Sequence, residues 1–247
     1  MKTFNTMLKT ELKLSLRGMD MLIFAICMPI IVLVILGVIY GDQPAYVGAS
    51  YTFLEQSFGA IVSIAISAGG VMGLPLVISD YRGKKILKRL KVTPAQPVII
   101  LLVQITIYGL YALTSLVLLY LIASVFYSFR MQGDFLQFLL GWLLVMVSMF
   151  SIGVMVGGIA KNIKIAGILA SLLYFPMLIF SGATLPYEVM PTAMQKAADL
   201  LPLTQGIKLL KATSLGLPVE NVLPSIIVMV VIAGICSFVS IRFFKWE

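Results

Sequence analysis

Histidine is absent from this 247-residue chain, and cysteine occurs only twice. Without histidine, zinc sites of the His-Glu-x-x-His type and serine–histidine dyads are excluded, and with them an intramembrane hydrolase of either kind. The two thiols, Cys27 and Cys236, fall inside apolar segments, where buried packing accounts for them and no disulfide framework can be read. A glycine-rich phosphate loop ending in Gly-Lys-Ser/Thr is also missing, so the chain is expected not to be an enzyme. Charge is scarce: 11% of residues are charged and 60% are hydrophobic.

The scarcity is patterned. Six stretches, Met21 to Tyr40, Phe53 to Ser79, Val98 to Phe129, Phe135 to Ala160, Ile165 to Ser181 and Val222 to Phe244, contain one acidic residue, Glu55, and one basic residue, Arg242 at the end of the last. A helix needs about 20 such residues to cross a bilayer, because hydrocarbon offers no partner for backbone amides or for charge. The chain therefore reads as an all-α, polytopic membrane protein with six transmembrane helices. Nearly all of it is used in crossing, which leaves no stretch long enough for a soluble catalytic domain. The charged leader to Asp20 is followed by an apolar run of about 20 residues, longer than a cleaved signal's 7–15, so the first span is expected to be retained.

Basic residues sort onto one side. Lys2, Lys9, Lys13 and Arg17 precede the first span; Arg82, Lys84, Lys85, Lys88, Arg89 and Lys91 follow the second; Lys161 and Lys164 follow the fourth; Arg242 and Lys245 close the chain. The opposite connections hold only Arg130, Lys196, Lys208 and Lys211. The positive-inside rule then puts both termini in the cytoplasm, as an even number of spans requires. The net charge of +8 is explained by this topology and by anionic lipid, so no nucleic-acid partner is expected.

Within that frame several segments stand out. Phe4, Leu8, Leu12 and Leu16 recur every four residues beside Lys9, Lys13 and Arg17. The pattern fits an N-terminal interfacial helix over residues 1–20 with its apolar side in the acyl boundary, and also a disordered basic leader that only fixes topology. Gly69, Gly70, Gly73 and Pro75 predict a kink near the cytoplasmic end of span two. Small residues at four-residue spacing, Gly59-Ser63-Ser67, Gly153-Gly157 and Gly167-Ser171, allow close helix approach, either inside one bundle or at a dimer seam. Ile86, Leu87 and Leu90 form an apolar stripe among cations in residues 80–94, which favours a small cytoplasmic docking helix over a solvated loop. Residues 182–218, with Pro191, Pro202, Thr204 as an N-cap and Gly216 and Pro218 as stops, read as an outer helical hairpin that dips into the membrane between spans five and six.

Two of these segments carry a family resemblance. Leu87-Lys88-Arg89-Leu90-Lys91-Val92-Thr93-Pro94 resembles the basic-leucine, Val-Thr-Pro run after the second span of ABC-2 type transporter permeases. Phe180-Ser181-Gly182-Ala183-Thr184-Leu185-Pro186, through Met190-Pro191 and Leu200-Leu201-Pro202-Leu203-Thr204 to Gly216, resembles that family's signature after the fifth span. The six-span layout covers the whole chain. The resemblance implies a single transmembrane domain over residues 1–247 that pairs with a second permease subunit, homo- or heterodimeric. It also implies two ATP-binding cassette subunits, which carry ATP and Mg²⁺ while this chain carries no cofactor.

It implies further that Asp80, Arg82, Lys84, Ile86, Leu87 and Leu90 form the coupling helix, although Lys84, Lys85 and Lys88 make it more basic than the family's usual pattern. Spans two and five would line the central route through Ser63, Ser67, Met72, Tyr174, Phe175, Met177 and Phe180. Aromatic, thioether and hydroxyl groups without fixed charge suit a hydrophobic or amphiphilic compound, such as a drug, an antimicrobial peptide or a lipid-like molecule, exported across a bacterial cell membrane. An ion-coupled secondary carrier or a channel-forming subunit without an ATPase partner is the alternative; a carrier would usually place ionisable groups at mid-depth, whereas Glu55 lies near the outer edge.

Overall fold

The computed structural model describes residues 2–41, 43–46, 48–84, 97–182, 190–218 and 222–243. It is all-α. Among the described residues the one extended pairing is an isolated antiparallel bridge between Pro44 and Thr52. Among the described residues helix α1, Lys2–Gly18, precedes six helices long and apolar enough to cross a membrane. These are α2 (Ile23–Tyr40), α3 (Phe53–Gly83), α4 (Pro97–Tyr127), α5 (Phe135–Ile159), α6 (Ile163–Phe180) and, last in the chain, α9 (Leu223–Phe243). Between α6 and α9 lie the short α7 (Thr192–Ala198) and α8 (Pro202–Leu215).

Helix α3 is the axle of the bundle. In its apolar window 78% of the residues are buried, against 17% for α6 and 28% for α2. Its 31 residues span about 46 Å at 1.5 Å per residue, longer than the roughly 30 Å hydrocarbon core, so it projects beyond the apolar layer. Small residues let its neighbours approach it. A Cβ on Gly153 of α5 would lie 1.9 Å from the Gly70 carbonyl oxygen, and one on Gly59 would lie 2.5 Å from the Lys211 amide nitrogen of α8. Of the two settings for these stripes, packing inside one bundle is therefore what Gly59 and Gly153 serve. On the side away from Arg82, Phe58 stacks against Phe129 and Phe138 at centroid distances of 4.4 and 6.1 Å, joining α3, α5 and the α4–α5 turn in one apolar cluster.

The kink expected at Pro75 takes the form of a π-helical turn, Ala68–Gly73, in which the Leu74 amide donates to the Gly69 carbonyl five residues back. The wider turn inserts one residue and moves the ladder out of the way of the proline ring. The same device precedes Pro29 in α2, where Ile23–Cys27 is π-helical and the Met28 amide donates to Ile23.

The stripe of α1 meets protein. Phe4, Met7, Leu8 and Leu12 pack against Val103, Ile107 and Tyr111 of α4, while Leu16 stays exposed with Lys9, Lys13 and Arg17. A tyrosine ring and β-branched side chains on α4 offer this face a packed surface, so for those residues the acyl boundary is replaced by a helix.

Helix α8 is buried over nearly its whole length, against α3, α5 and α9. Its start differs from the sequence expectation. Leu201 is the N-cap, Pro202 is the first helical residue, and Thr204 lies inside the first turn with its side chain buried. Proline suits that first position because its fixed φ fits the helix and the amide it lacks would be unpaired there anyway. The stop is as expected: Gly216 is left-handed at φ 69°, and the Leu217 amide returns to the Ala212 carbonyl.

Candidate functional site

A groove of about 720 Å³ opens on one flank of the bundle between α2, α3 and α6. Both π-helical turns contribute to it, through Phe24 and Met28 on α2 and Met72 and Gly73 on α3. Along α3 it runs from Ile61 to Tyr81, about 30 Å by helical rise. The opposite wall is Tyr174, Phe175 and Leu178 of α6. Nearly every lining group is aliphatic, aromatic or thioether. Asp80 is the charged exception, at the end where the basic residues gather, and its carboxylate is paired with Lys84 at 2.6 Å.

Of the seven path residues expected from the sequence, Met72, Tyr174 and Phe175 line this groove. Ser63 and Ser67 lie behind its wall, fully buried, their hydroxyls donating to the Gly59 and Ile64 carbonyls at 2.8 and 3.0 Å. Met177 is buried in the core cluster, and Phe180 is partly exposed at the far end of α6. Helix periodicity explains the split, since residues three and four apart share a face and the sequence alone does not say which face is open.

Ile86, Leu87 and Leu90 of the expected coupling segment lie outside the described residues; Asp80, Arg82 and Lys84 lie within them. Arg82 turns inward. Its Nη1 donates to the carbonyl oxygens of Gly158 at 2.6 Å, Ala160 at 2.8 Å and Gly157 at 3.3 Å. Carbonyls at a helix C-terminus have no partner of their own and carry the negative end of the helix dipole, so a guanidinium suits the site.

Beside it the Tyr81 hydroxyl donates to Glu11 of α1. Gln104 of α4, which is 4% exposed, directs its Nε2 to the same carboxylate at 3.1 Å and to the Tyr81 oxygen at 3.2 Å. One turn further along α1, the Tyr111 hydroxyl donates to Ser15 at 2.8 Å. Sequence reasoning passed over Glu11, Tyr81 and Gln104. A signal existed: Glu11 is the one carboxylate among the leader's cations before Asp20, and Gln104 is an amide inside a long apolar run, where a polar group needs a partner.

At the opposite end Glu55 closes a capping box: its Oε2 accepts from the Thr52 amide at 2.8 Å, and its own amide donates to the Thr52 hydroxyl at 3.2 Å. Gln132 stands 3.5 Å from the same carboxylate. Asp199 and Lys208 pair at 2.6 Å across α7 and α8.

The family model for ABC-2 type transporters matches residues 2–215. The chain belongs to the ABC-2 type transporter family. Among curated proteins, this ABC-2 chain is similar to the inner membrane transport permease YhhJ of Escherichia coli, 29% identical over 60% of the chain and 40% of that protein. It is also similar to nodulation protein J of Rhizobium leguminosarum bv. viciae, 38% identical over 29% of the chain and 28% of that protein. The chain thus spans well under half of the curated relatives it matches. The match covers α1, the groove-forming helices and α8, so the groove and the anchored end of α3 belong to the family domain of a multi-pass membrane protein.

Proposed function

We propose that this chain is the permease subunit of an ATP-driven bacterial exporter, moving a hydrophobic or amphiphilic compound from the cytoplasm or inner leaflet to the outside. The observation that carries this reading is the groove between α2, α3 and α6, whose apolar wall of Met72, Tyr174 and Phe175 leads from a polar foot at Asp80 and Tyr81. Above that foot its lining offers adaptable contacts to an apolar body and no fixed charge to hold a bare ion, and at the foot the Asp80 carboxylate is paired with Lys84.

The ion-coupled alternative needs a titrating group at mid-depth, whereas the two acids of α3 stand near its ends, Glu55 committed to its capping box and Asp80 paired with Lys84. In the export reading the basic face is cytoplasmic, residues 80–94 seat in the ATP-binding subunit, and that subunit carries ATP and Mg²⁺. A second permease subunit covers the wide apolar faces of α2 and α6, where Phe24, Ile31, Ile35, Ile168 and Leu172 are exposed.

The test is coupling. Burying one leucine in a groove of the ATPase contributes about 1.5–3 kcal/mol, so replacing two with charge removes the seat. The double variant Leu87→Asp, Leu90→Asp, purified with the ATP-binding subunit and reconstituted in vesicles, is expected to insert normally while ATP hydrolysis no longer drives movement of a fluorescent amphiphile. Transport at the wild-type rate in that variant would remove the coupling role.

A further inference from the structure

We propose that Tyr81 and Arg82 are positioning residues that lock the last turn of α3 to three other helices, so that displacement of the segment that follows moves the basic end of the bundle as one body. This rests on the export reading for its purpose, but the lock itself is a property of the chain.

Consecutive residues on a helix point about 100° apart, so Tyr81 and Arg82 face different neighbours. Tyr81 reaches α1 through Glu11, and Gln104 of α4 bonds both members of that pair. Arg82 reaches α5 through three carbonyl oxygens within 3.3 Å. One turn back, a Cβ on Gly157 of α5 would lie 2.8 Å from the Ile78 Cβ, so the two helix ends also touch without side chains to spare between them. The turn is thus held from two sides by charge-assisted hydrogen bonds, which are about twice as strong as neutral ones and tie orientation as well as distance.

Gly83 ends α3 directly after this turn, and among the described residues nothing lies within 4 Å of a Cβ placed on it. Because Tyr81 and Arg82 are both held, a pull arriving from residue 84 onward meets no hinge at residues 81–82. It is passed to α5 by Arg82 and to α1 and α4 by Tyr81. Through α5 it reaches Gly153 and the π-helical turn at Gly70, which is part of the groove's α3 wall. The same anchors explain why α1 is seated on α4: Glu11 holds its middle and Ser15 holds the next turn.

The experiment measures the lock directly. In a Cys27→Ala, Cys236→Ala background, spin labels are attached through Gly83→Cys and Lys161→Cys, and the distance distribution is recorded on the full chain in nanodiscs. The wild-type clamp is expected to give one narrow distribution. Arg82→Gln should broaden it about twofold by releasing the α3 end from α5, while Arg82→Lys, which keeps the cation, should restore most of the width. A second arm adds the ATP-binding subunit with and without ATP and vanadate. The Gly83–Lys161 distance should stay the same in both states, and this arm needs no destabilising substitution.

An unchanged distribution in Arg82→Gln, or a wild-type distance that shifts on nucleotide trapping, overturns the lock. Failure of the chain to bind any ATP-binding subunit would overturn the export reading instead, and the nucleotide-free arm would still decide the clamp. For the Tyr81 side, Tyr81→Phe with labels through Lys13→Cys and Gly83→Cys should loosen α1 from α3; an unaltered distribution there removes Tyr81 from the proposal.

Discussion

Adding a single methyl group at Gly153 tests whether the α3–α5 seam is the contact that holds this bundle. In Gly153→Ala the new Cβ would sit 1.9 Å from the Gly70 oxygen, 3.0 Å from its carbonyl carbon and 3.2 Å from the Leu74 Cβ. Ordinary carbon contacts lie near 3.5–4.0 Å, so the seam must open by more than 1 Å. Two of the three obstructing atoms are backbone, and no rotamer change relieves them. Overpacking of this kind costs about 1–3 kcal/mol, and the gain in helix propensity from glycine to alanine returns at most about 1. A net loss of about 1–2 kcal/mol is expected.

Gly109→Ala is the matched control. It makes the same chemical change in a spanning helix, but its nearest neighbour is the Met146 sulfur at 3.9 Å, an ordinary contact. The assay is the temperature at which half of the detergent-solubilised protein leaves the monodisperse peak. Gly153→Ala should fall below wild type and Gly109→Ala should match or exceed it. Equal midpoints for the two variants would refute the packing argument.

The remaining predictions concern orientation, the groove and a cap. Cysteines placed near Lys164 should be labelled only from the cytoplasm and those near Asp134 and Lys196 only from outside; outside labelling at Lys164 would reverse the topology. Phe175→Ala and Met72→Trp should alter export of an amphiphilic dye at constant ATPase activity, whereas Met177→Ala, at a buried core position, should lower thermal stability instead. If all three behave alike, the groove is not the path. Thr52→Ala removes the capping-box hydroxyl at the start of α3 and should cost about 1 kcal/mol, read in the same thermal assay, with no change in transport.

The features legible in the sequence are those that hydrocarbon enforces. The six span-length helices fall within a few residues of the apolar runs because the runs begin and end at polar or turn-forming residues: α5 opens on Asp134 and α6 on Asn162, and both side chains accept from an amide of the helix that follows. Pro75 foretold an irregularity, and Gly216 foretold a stop, since each acts through its own backbone. What the sequence left hidden depends on rotation about a helix axis. Met72, Tyr174 and Phe175 face the groove while Ser63, Ser67 and Met177 face the core, and in an apolar span no polar stripe marks which side is which. The reversal of Arg82 has the same origin. Among six cations in one short segment, charge alone reads as a surface for lipid or a partner. Only the arrival of α5's unpaired carbonyls beside it turns one of those cations inward. That arrival is a consequence of Gly153 and Gly157, glycines far from Arg82 in sequence, whose lack of side chains brings the end of α5 within reach.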